Sequence, residues 1–478
     1  MKVCVLQPDY TGTDIDYANW DPRRNLSALR PDWDVEHVFL RKASVYRQLK
    51  QATSKGFDIF VNLCEGYLDW EIPSIEVIWY LDRLGLAYTG APARLYDPSK
   101  DLMKYVAHVQ GVRTPKSVVI GTDDPIDTGD LAYPLFLKPA HAGDSLGVDA
   151  DSLVRSPERL ASKVADLVRD FGTALVEEFV EGREFTVLVA ADPDDRNRPM
   201  VLRPLEFRFP EGETFKSYDL KITQHHPECN VPVSDPDLDA KLREAARKVF
   251  VGFDGEGYAR LDFRMDRAGA LHFLDINFAC SIFYPHGSEG SADYILRNDP
   301  LGASGFLTHI VREGISRHAK NRRNWVRKGN SSAGYGIFAN RNLAQGEVVF
   351  PGEEGSFRLV SRRHLESDWS AEEQETARHY AIPFSDELLA IWNRDPDNWA
   401  PQNHSCDANT AYRGLDVVAT RDIAQGQELT LDYSNLCDGS IPAFSCRCGA
   451  GNCRGTVAGT AGFSLTAELA TERARSLG

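Results

Sequence analysis

The chain has 478 residues, 42% apolar and 26% charged, enough for about two to four compact units of a globular protein. Its 54 basic and 70 acidic side chains leave a formal net charge of −16, so neither nucleic acid nor an anionic membrane is expected as a partner. Neither a run of about 18 apolar residues nor a signal-peptide cleavage pattern is present. Nine cysteines, three of them clustered near the C-terminal end, favour reduced thiols with a metal site, as in a cytoplasmic protein.

Apolar patterns predict alternating strands and helices over the first two thirds of the chain. Strands are expected at Val3–Leu6, Val35–Leu40, Asp58–Leu63, Leu135–Leu137, Ala174–Phe179, Phe185–Ala190, Tyr258–Arg264 and Leu271–Ile276. Helices are expected at Ile72–Leu84, Ser99–Val109, Pro157–Phe171 and Leu238–Val251. The basic run Arg312–Lys328 is interpreted as a solvated helix end and linker. Residues 330–460 predict a compact, mostly β module, and Leu465–Leu477 predicts one short helix.

Two segments in the middle of the chain carry groups suited to a nucleotide. The strand at Leu135–Leu137 delivers Lys138, and the small-residue loop that follows offers backbone N–H groups to phosphates. A plain turn is the alternative for this loop. In the next hairpin, Glu177 and Glu184 are placed to accept hydrogen bonds from an adenine amine and from ribose hydroxyls. The alternative here is a solvated hairpin edge.

Two predicted neighbouring strands each carry an acid. Asp262 lies in the first strand and Asp275 in the second, with Asn277 two residues further on the same face. Hard oxygen ligands of this kind suit Mg²⁺ that bridges nucleotide phosphates. Because carboxylates buried among apolar residues are costly without a cation, we favour a metal site over a structural role.

In this order and spacing, these segments resemble the ATP-grasp superfamily, most closely the D-alanine–D-alanine ligase branch, over about residues 1–315. The resemblance implies ATP-dependent activation of a carboxylate as an acyl phosphate, which an amine then attacks. It implies these nucleotide contacts: Lys100, Lys138, Ser145 and Lys221 near the phosphates, Glu177 and Val180 at the adenine, and Glu184 at the ribose. It also implies that Arg260 stabilises the tetrahedral intermediate and that Asp262, Asp275 and Asn277 hold Mg²⁺.

The sequence departs from this branch where the substrates would bind. Cys64-Glu65-Gly66 replaces the histidine–glycine turn, Asp144 replaces the loop serine, and residues 278–281 replace a glycine-rich stretch. The acid that holds the first substrate's ammonium has no clear counterpart, although Asp9 and Asp14 are candidates. We therefore expect retained nucleotide and metal residues around a rebuilt acceptor pocket, and a substrate other than D-alanine.

The C-terminal third contains a second group of motifs. Cys446, Cys448 and Cys453 form a C-x-C-x4-C pattern that is one ligand short of a tetrahedral zinc site, and Cys406 is the expected fourth ligand. Such a site is structural because four thiolates leave no open coordination position. With the Gly334-Tyr335-Gly336 turn and the Asn403-His404-Ser405-Cys406 motif, the segment resembles the SET and post-SET modules of lysine methyltransferases.

By this resemblance Gly334, Tyr335, Gly336, Asn403 and His404 bind S-adenosylmethionine, and Tyr433 lines the channel where the methyl group meets the target amine. A core strand tyrosine is the alternative for Tyr433. Two departures concern the channel: Ala408 stands where proline usually follows the motif, and the segment 350–352 lacks an aromatic hydroxyl.

We therefore expect an α/β (α+β) protein in which a three-subdomain ATP-grasp body precedes a mostly β SET domain with a zinc-bound post-SET segment. The expected boundaries are 1–95 (N-terminal domain), 96–175 (central subdomain), 176–315 (C-terminal subdomain), 316–329 (basic linker), 330–440 (SET), 441–460 (post-SET) and 461–478 (tail).

The expected function is a carboxylate–amine ligase joined to an amine N-methyltransferase, with ATP, Mg²⁺, S-adenosylmethionine and Zn²⁺ as cofactors. The partners would be small molecules or peptides that bear a carboxylate and an amine, with a homodimer left open. One alternative is a protein lysine methyltransferase whose ATP-grasp region only binds nucleotide or substrate. Another is a non-catalytic SET module that serves the ligase.

Overall fold

The computed structural model describes residues 1–16, 21–66, 70–141, 147–215, 227–321, 324–330, 334–351, 357–383, 387–392, 401–413, 416–436 and 443–459. The chain divides into two compact units, Met1–Asn321 and Arg322–Gly478. Three predictions lie outside the described residues: the nucleotide contacts Ser145 and Lys221, and the helix at Leu465–Leu477.

The first unit combines a parallel sheet with two antiparallel sheets. Its strands are β1 (Lys2–Pro8), β2 (Asp34–Leu40), β3 (Ile59–Asn62), β4 (Ser117–Gly121), β5 (Leu135–Pro139), β6 (Leu153–Val154), β7 (Thr173–Glu178), β8 (Gly182–Ala190), β9 (Met200–Val201), β10 (Leu205–Phe207), β11 (Asn230–Pro232), β12 (Tyr258–Asp266) and β13 (Leu271–Asn277). Its helices are α1 (Val45–Thr53), α2 (Ile75–Arg83), α3 (Lys100–Val109), α4 (Pro157–Phe171), α5 (Pro236–Gly252), α6 (Ser291–Asn298) and α7 (Gly302–Asn321).

The N-terminal sheet has the strand order β2-β1-β3, with all strands parallel. Residues 3–8 of its central strand are buried, as expected for a parallel strand covered on both faces. On one face Cys4 and Leu6 pack with Leu49 of α1 and Val77 of α2. Each strand and helix predicted in this region is present within a few residues, whereas α1 was not predicted.

Two antiparallel sheets follow, with strand orders β4-β7-β5-β6 and β11-β10-β8-β12-β13, the latter with β9 on β8. Helix α4 packs on the first of these sheets through Leu160, Val164 and Leu167. Helix α5 packs on the second through Leu242 and Phe250. The core residues alternate along β12 with side chains that are only partly buried, so Arg260 and Asp262 lie on the face opposite Leu261 and Phe263.

The basic run expected to be a solvated linker at residues 316–329 carries regular structure instead. Helix α7 continues to Asn321, and a strand begins at Trp325. The Arg317 side chain is 9% exposed and ion-paired with Glu313 (2.9 Å), and it donates to the carbonyl of Gly90 (2.8 Å). The solvated interpretation is therefore wrong for Arg317, because buried carboxylate and carbonyl acceptors hold its guanidinium.

The second unit consists mostly of short strands. They are β14 (Trp325–Asn330), β15 (Gly334–Ala339), β16 (Val348–Phe350), β17 (Phe357–Ser361), β18 (Ile382–Pro383), β19 (Leu388–Trp392), β20 (Asn403–His404), β21 (Thr410–Arg413), β22 (Asp416–Ala419), β23 (Thr430–Leu431), β24 (Phe444–Ser445) and β25 (Thr456–Val457). The predicted mostly β fold is confirmed. Helices α8 (Arg362–Asp368) and α9 (Ala371–Tyr380) were not predicted.

Two features of this unit position its candidate site. Ile337, Leu343, Ile423 and Leu429 belong to its core. Next to this core, β20 and β23 pair in parallel, with Asn403 opposite Thr430 and His404 opposite Leu431. This pairing brings the 403–406 motif beside the turn that carries Tyr433.

Candidate active sites

A cavity in the first unit collects most of the residues predicted to bind nucleotide and metal. Its walls come from both antiparallel sheets and from α3. The predicted residues that line it are Lys100, Lys138, Glu177, Val180, Glu184, Arg260, Asp262, Asp275 and Asn277. They come from five separate segments of the chain, so the antiparallel pairing brings them together.

A buried carboxylate between two lysines forms one wall. Glu177 of β7 lies 2.7 Å from the Lys138 nitrogen and 2.8 Å from the Lys104 nitrogen. Burial by itself raises the pKa of Glu177, but the two ammonium groups outweigh it and lower that pKa to about 2. Burial lowers the pKa of Lys138, but Glu177 and Asp275 outweigh it and raise that pKa. Burial lowers the pKa of Lys104, and the neighbouring Glu177 offsets this only in part. Glu177 and Lys138 are thus charged at neutral pH.

The predicted magnesium ligands lie on neighbouring strands at the floor of the cavity. In the β12–β13 register Asp262 faces Asp275, and Arg260 faces Asn277. The two acids are 25% and 31% exposed, so they face the cavity rather than the apolar core. The expectation that they are buried among apolar residues is therefore wrong.

Both acids also have basic partners. Asp275 accepts from Lys100 at 2.8 Å, and Asp262 accepts from Arg260 at 3.2 Å. Two carboxylates and an amide oxygen on adjacent strands fit Mg²⁺, which prefers oxygen ligands and takes the rest from phosphates or water.

An aromatic patch and an ion pair complete the cavity. Phe136 stacks on Phe179 with ring centroids 6.0 Å apart, and Phe215 meets Phe136 edge-on at 5.1 Å. Arg264 lies over the Phe179 ring and pairs with Glu184 at 3.4 Å. Flat apolar rings next to a carboxylate form a surface on which a purine and its ribose can lie.

Sequence reasoning missed several residues of this cavity or its surroundings. Lys104 lies one helical turn after Lys100, a spacing that places both on one face of α3 and could have indicated it. Arg264 was seen only as part of a strand. Glu65, which the sequence marked only as part of the altered turn at residues 64–66, lines the cavity and lies 3.4 Å from the buried Arg24.

The neighbourhood of Arg24 was also missed. Arg24 donates to Asp21 at 2.9 Å, and Asp21 accepts from Tyr284 at 2.8 Å and from Tyr10. Asp9, one candidate for the acceptor's ammonium, is instead ion-paired with Arg41 at 2.7 Å. The other candidate, Asp14, is exposed.

In the second unit, Asn403 is held by two acceptors. Its side-chain nitrogen donates to the Tyr335 carbonyl (2.8 Å) and to Glu428 (2.7 Å). Glu428 also accepts from Asn330 at 2.8 Å. A methyl group at Gly336 would lie 2.3 Å from the Glu428 carboxylate. Asn403 of β20 is thus hydrogen-bonded to the Glu428 carboxylate, and Gly336 of β15 packs against the same carboxylate.

Tyr433 and His404 lie next to each other. Their rings are 5.4 Å apart, and the Tyr433 hydroxyl donates to the Gln402 carbonyl at 2.5 Å. The backbone N–H of Tyr433 donates to His404 Nδ1 at 3.1 Å. Burial lowers the pKa of His404.

The cysteines predicted to bind zinc are brought together with His404. Ligand atoms of His404, Cys406, Cys446 and Cys448 lie within 4.8 Å of one another. The Cys453 thiol interacts with the thiols of Cys446 and Cys448. The Cys406 N–H donates to Cys448 Sγ at 3.5 Å. This hydrogen bond, together with those from the Ala450 backbone and from the neighbouring thiols, lowers the pKa of the Cys448 thiol to about 6, whereas the pKa of Cys446 is raised to about 12. A dense set of thiols with a thiolate at neutral pH fits a zinc ion.

Two family models match separate parts of the chain, one in each compact unit. Residues 126–280 match the family model described as D-ala D-ala ligase C-terminus, and residues 334–434 match the SET domain model. Two segments of the chain are thus similar, in this order, to the C-terminal part of D-alanine–D-alanine ligases and to SET domains. Among the described residues, no helix is both long and apolar enough to cross a membrane.

The curated relatives each match a little under half of the chain. An uncharacterized protein of Sinorhizobium fredii is 31% identical over 45% of this chain and 63% of its own length. D-alanine–D-alanine ligases of Halorhodospira halophila and Aquifex aeolicus are 29% and 30% identical over 41% of this chain, covering 62% and 64% of their lengths. The chain thus spans a little under two thirds of these relatives.

Two solved ligase structures match the chain at low sequence identity. The D-alanine–D-alanine ligase of Bacillus anthracis complexed with ATP has a TM-score of 0.47 at 15% identity, covering 67% of this chain and 99% of that one. The Coxiella burnetii enzyme has a TM-score of 0.48 at 15% identity, covering 67% and 97%.

Proposed function

We propose that the chain is a bifunctional enzyme: an ATP-dependent carboxylate–amine ligase and an S-adenosylmethionine-dependent amine N-methyltransferase. For the ligase, the observation that carries the proposal is the convergence of Lys100, Lys138 and Arg260 with Asp262, Asp275 and Asn277 around one cavity. Cations for phosphates and oxygen ligands for a divalent metal are the groups that phosphoryl transfer requires.

In the ligase site each charged group has a distinct task. Mg²⁺ held by Asp262, Asp275 and Asn277 would supply neutralisation of phosphate charge. Lys100 and Lys138 would hold the phosphates, and a phosphate that binds them replaces part of their pairing with Asp275 and Glu177. Arg260 would stabilise the oxyanion that forms when the amine attacks the activated carboxyl carbon. Glu65 lines the same cavity, and its carboxylate suits a substrate with a cationic amine.

In the methyltransferase site the required work is mostly alignment of two groups. Asn403, through Tyr335 and Glu428, would shape the edge on which the cofactor lies. Tyr433 would orient the target amine, since the neighbouring Gln402 carbonyl fixes its hydroxyl. The four cysteines would hold zinc as a structural ion.

The ligase half is tested by ADP release with Mg²⁺ and ATP across pairs of amino acids, with mass spectrometry of the product. We expect amine-dependent ADP release that falls about 100- to 1,000-fold in Arg260→Ala, the usual loss when a stabiliser of the oxyanion is removed. Arg267→Ala, an exposed arginine just past the same strand, is the matched control. If no pair of amino acids gave ADP release, the result would favour the alternative in which the first unit only binds nucleotide or substrate.

The methyltransferase half is tested by transfer of a labelled methyl group. We expect the label on the amide product or on its amine precursor, and its loss in Tyr433→Phe but not in the control Tyr412→Phe. Label that appears only on protein would favour the alternative of a protein methyltransferase. Failure to bind S-adenosylmethionine in calorimetry would leave the SET region as a non-catalytic module.

A further inference from the structure

Arg264 and Glu184 form a buried ion pair in the wall of the ligase cavity. They lie directly opposite each other on the antiparallel strands β12 and β8, with Arg264 Nη1 3.4 Å from Glu184 Oε2. The side chains are 5% and 9% exposed, yet both residues line the cavity. Because a carboxylate withdrawn from water is costly without a cation, Arg264 offsets the cost of placing Glu184 in this wall.

The rest of the Arg264 guanidinium is fixed by backbone acceptors and an aromatic ring. Its Nη2 donates to the carbonyl of Gly182 at 3.1 Å and to that of Thr214 at 2.9 Å. The guanidinium also lies over the Phe179 ring, 4.6 Å from the ring centroid. A planar group held at these points keeps one orientation, and in it Nη1 is directed at Glu184.

The ion pair lies between the predicted metal ligands and the aromatic patch. Asp262 and Arg264 are alternate residues of β12, so their side chains share a face and are about 7 Å apart along the strand. Arg264 in turn lies over Phe179, one of the rings on which a purine can lie. A nucleotide with its phosphates at the metal and its base on that ring has its ribose beside Glu184.

We infer that Arg264 is a positioning residue that holds the Glu184 carboxylate toward the ribose hydroxyls, and that the cavity thereby selects ribonucleotides over deoxyribonucleotides. This inference rests on the proposed ATP-dependent ligase function. The family resemblance implies a ribose contact for Glu184 but no role for Arg264. A carboxylate accepts several hydrogen bonds, so pairing with one guanidinium leaves capacity for hydroxyl donors. Because its orientation is already fixed, it loses little conformational freedom when the ribose binds.

The test measures binding of ATP, 2′-deoxyATP and 3′-deoxyATP to the full chain by calorimetry, with Mg²⁺ present. In the wild type we expect at least one deoxynucleotide to bind about 10- to 100-fold more weakly than ATP, because a hydrogen bond to a charged acceptor is lost. In Arg264→Met this ratio should fall to about 3-fold or less, chiefly because ATP binds more weakly. Arg183→Met is the matched control: it removes an exposed arginine of β8 that pairs with Glu206, and it should keep the wild-type ratio.

Two further variants separate positioning from a purely structural role. Arg264→Lys keeps a cation without the planar fork, so it should retain part of the selectivity. Glu184→Gln should lose the selectivity, and adding Arg264→Met to it should not change the ratio further, because Arg264 acts through Glu184. This double variant leaves no unpaired charge of the pair in the wall, so it remains informative if Arg264→Met alone does not fold.

Three results would overturn the inference. The first is an unchanged ratio in Arg264→Met with all three nucleotides weakened by the same factor, as a purely structural role predicts. The second is selectivity that survives in Glu184→Gln or that falls further in the double variant. The third is a wild type that binds ATP and both deoxynucleotides equally, which would leave the proposed ligase function standing. A wild type that binds no nucleotide would instead refute the proposed function, and the inference with it.

Discussion

The buried carboxylate of Glu177 allows a quantitative test of the cavity. Its pKa is lowered from 4.5 to about 2, in spite of burial, by Lys104 and Lys138. At about 1.4 kcal/mol per pKa unit, this shift corresponds to about 3 kcal/mol of stability at neutral pH. Glu177→Gln removes this contribution and leaves two buried ammonium groups without their shared partner, so we expect about 3–5 kcal/mol of destabilisation.

The pH dependence has a definite sign. A carboxyl group whose folded pKa is depressed stabilises the protein above its unfolded pKa, here 4.5. That contribution is lost as the pH falls through the folded value of about 2. The difference between wild type and Glu177→Gln should therefore be constant above pH 5 and shrink steadily below pH 4.5.

Unfolding of the first unit can be followed through its buried thiols. Cys4, Cys64 and Cys280 are buried in that unit, so their labelling in increasing urea reports its unfolding alone. Glu158→Gln, an exposed acid in the first turn of α4, is the control and should change stability by less than about 0.5 kcal/mol. A Glu177→Gln effect as small as that of the control, or one that does not vary between pH 3 and pH 7, would refute the ion-pair argument.

Three further predictions concern other parts of the two units. Asp262→Asn with Asp275→Asn should abolish Mg²⁺-dependent ADP release while nucleotide still binds, and retained Mg²⁺ dependence would exclude these ligands. Gly336→Ala should weaken S-adenosylmethionine binding in calorimetry because its methyl group would displace the Glu428 carboxylate that holds Asn403; Gly329→Ala, with no atom within 4 Å, is the control and should bind normally. Burial raises the pKa of Asp293 from 3.8 to about 6. The stability that its protonated carboxyl contributes is therefore complete below pH 3.8 and is lost as the pH rises through 6. In urea unfolding, Asp293→Asn should therefore remove the fall in stability between pH 3.8 and 6, and a fall that persists in the variant would contradict this prediction.

Local patterns predicted eight of the strands that the structure describes in the first unit, but not β4, β6, β9, β10 or β11, and they predicted helices α2 to α5 but not α1, α6 or α7. The period-2 alternation at Tyr258–Arg264 correctly placed Arg260 and Asp262 on one face, because successive side chains of a strand point to opposite sides. The same reasoning did not predict α8 and α9, whose polar sequences have a weak apolar face.

The basic run at residues 312–328 shows why composition was not enough. A cluster of like charges predicts solvent exposure, yet the Arg317 side chain is only 9% exposed because Glu313, Tyr88 and Gly90 supply its acceptors. Two of these acceptors are more than 200 residues away in the sequence. A charge pattern read along the chain contains no information about such partners.

The sequence by itself determined which chemical groups are present and on which face of a strand each lies, since these depend on residue identity and on the local backbone period. The spacing of Cys446, Cys448 and Cys453 likewise indicated a metal site, because thiol ligands so close along the chain can reach one ion. Only the tertiary structure decided which charges meet: Lys100 with Asp275, 175 residues apart, and Lys104 with Glu177. It also decided that the His404 ring joins Cys406 to Tyr433, because hydrogen-bond partners are set by how distant segments pack.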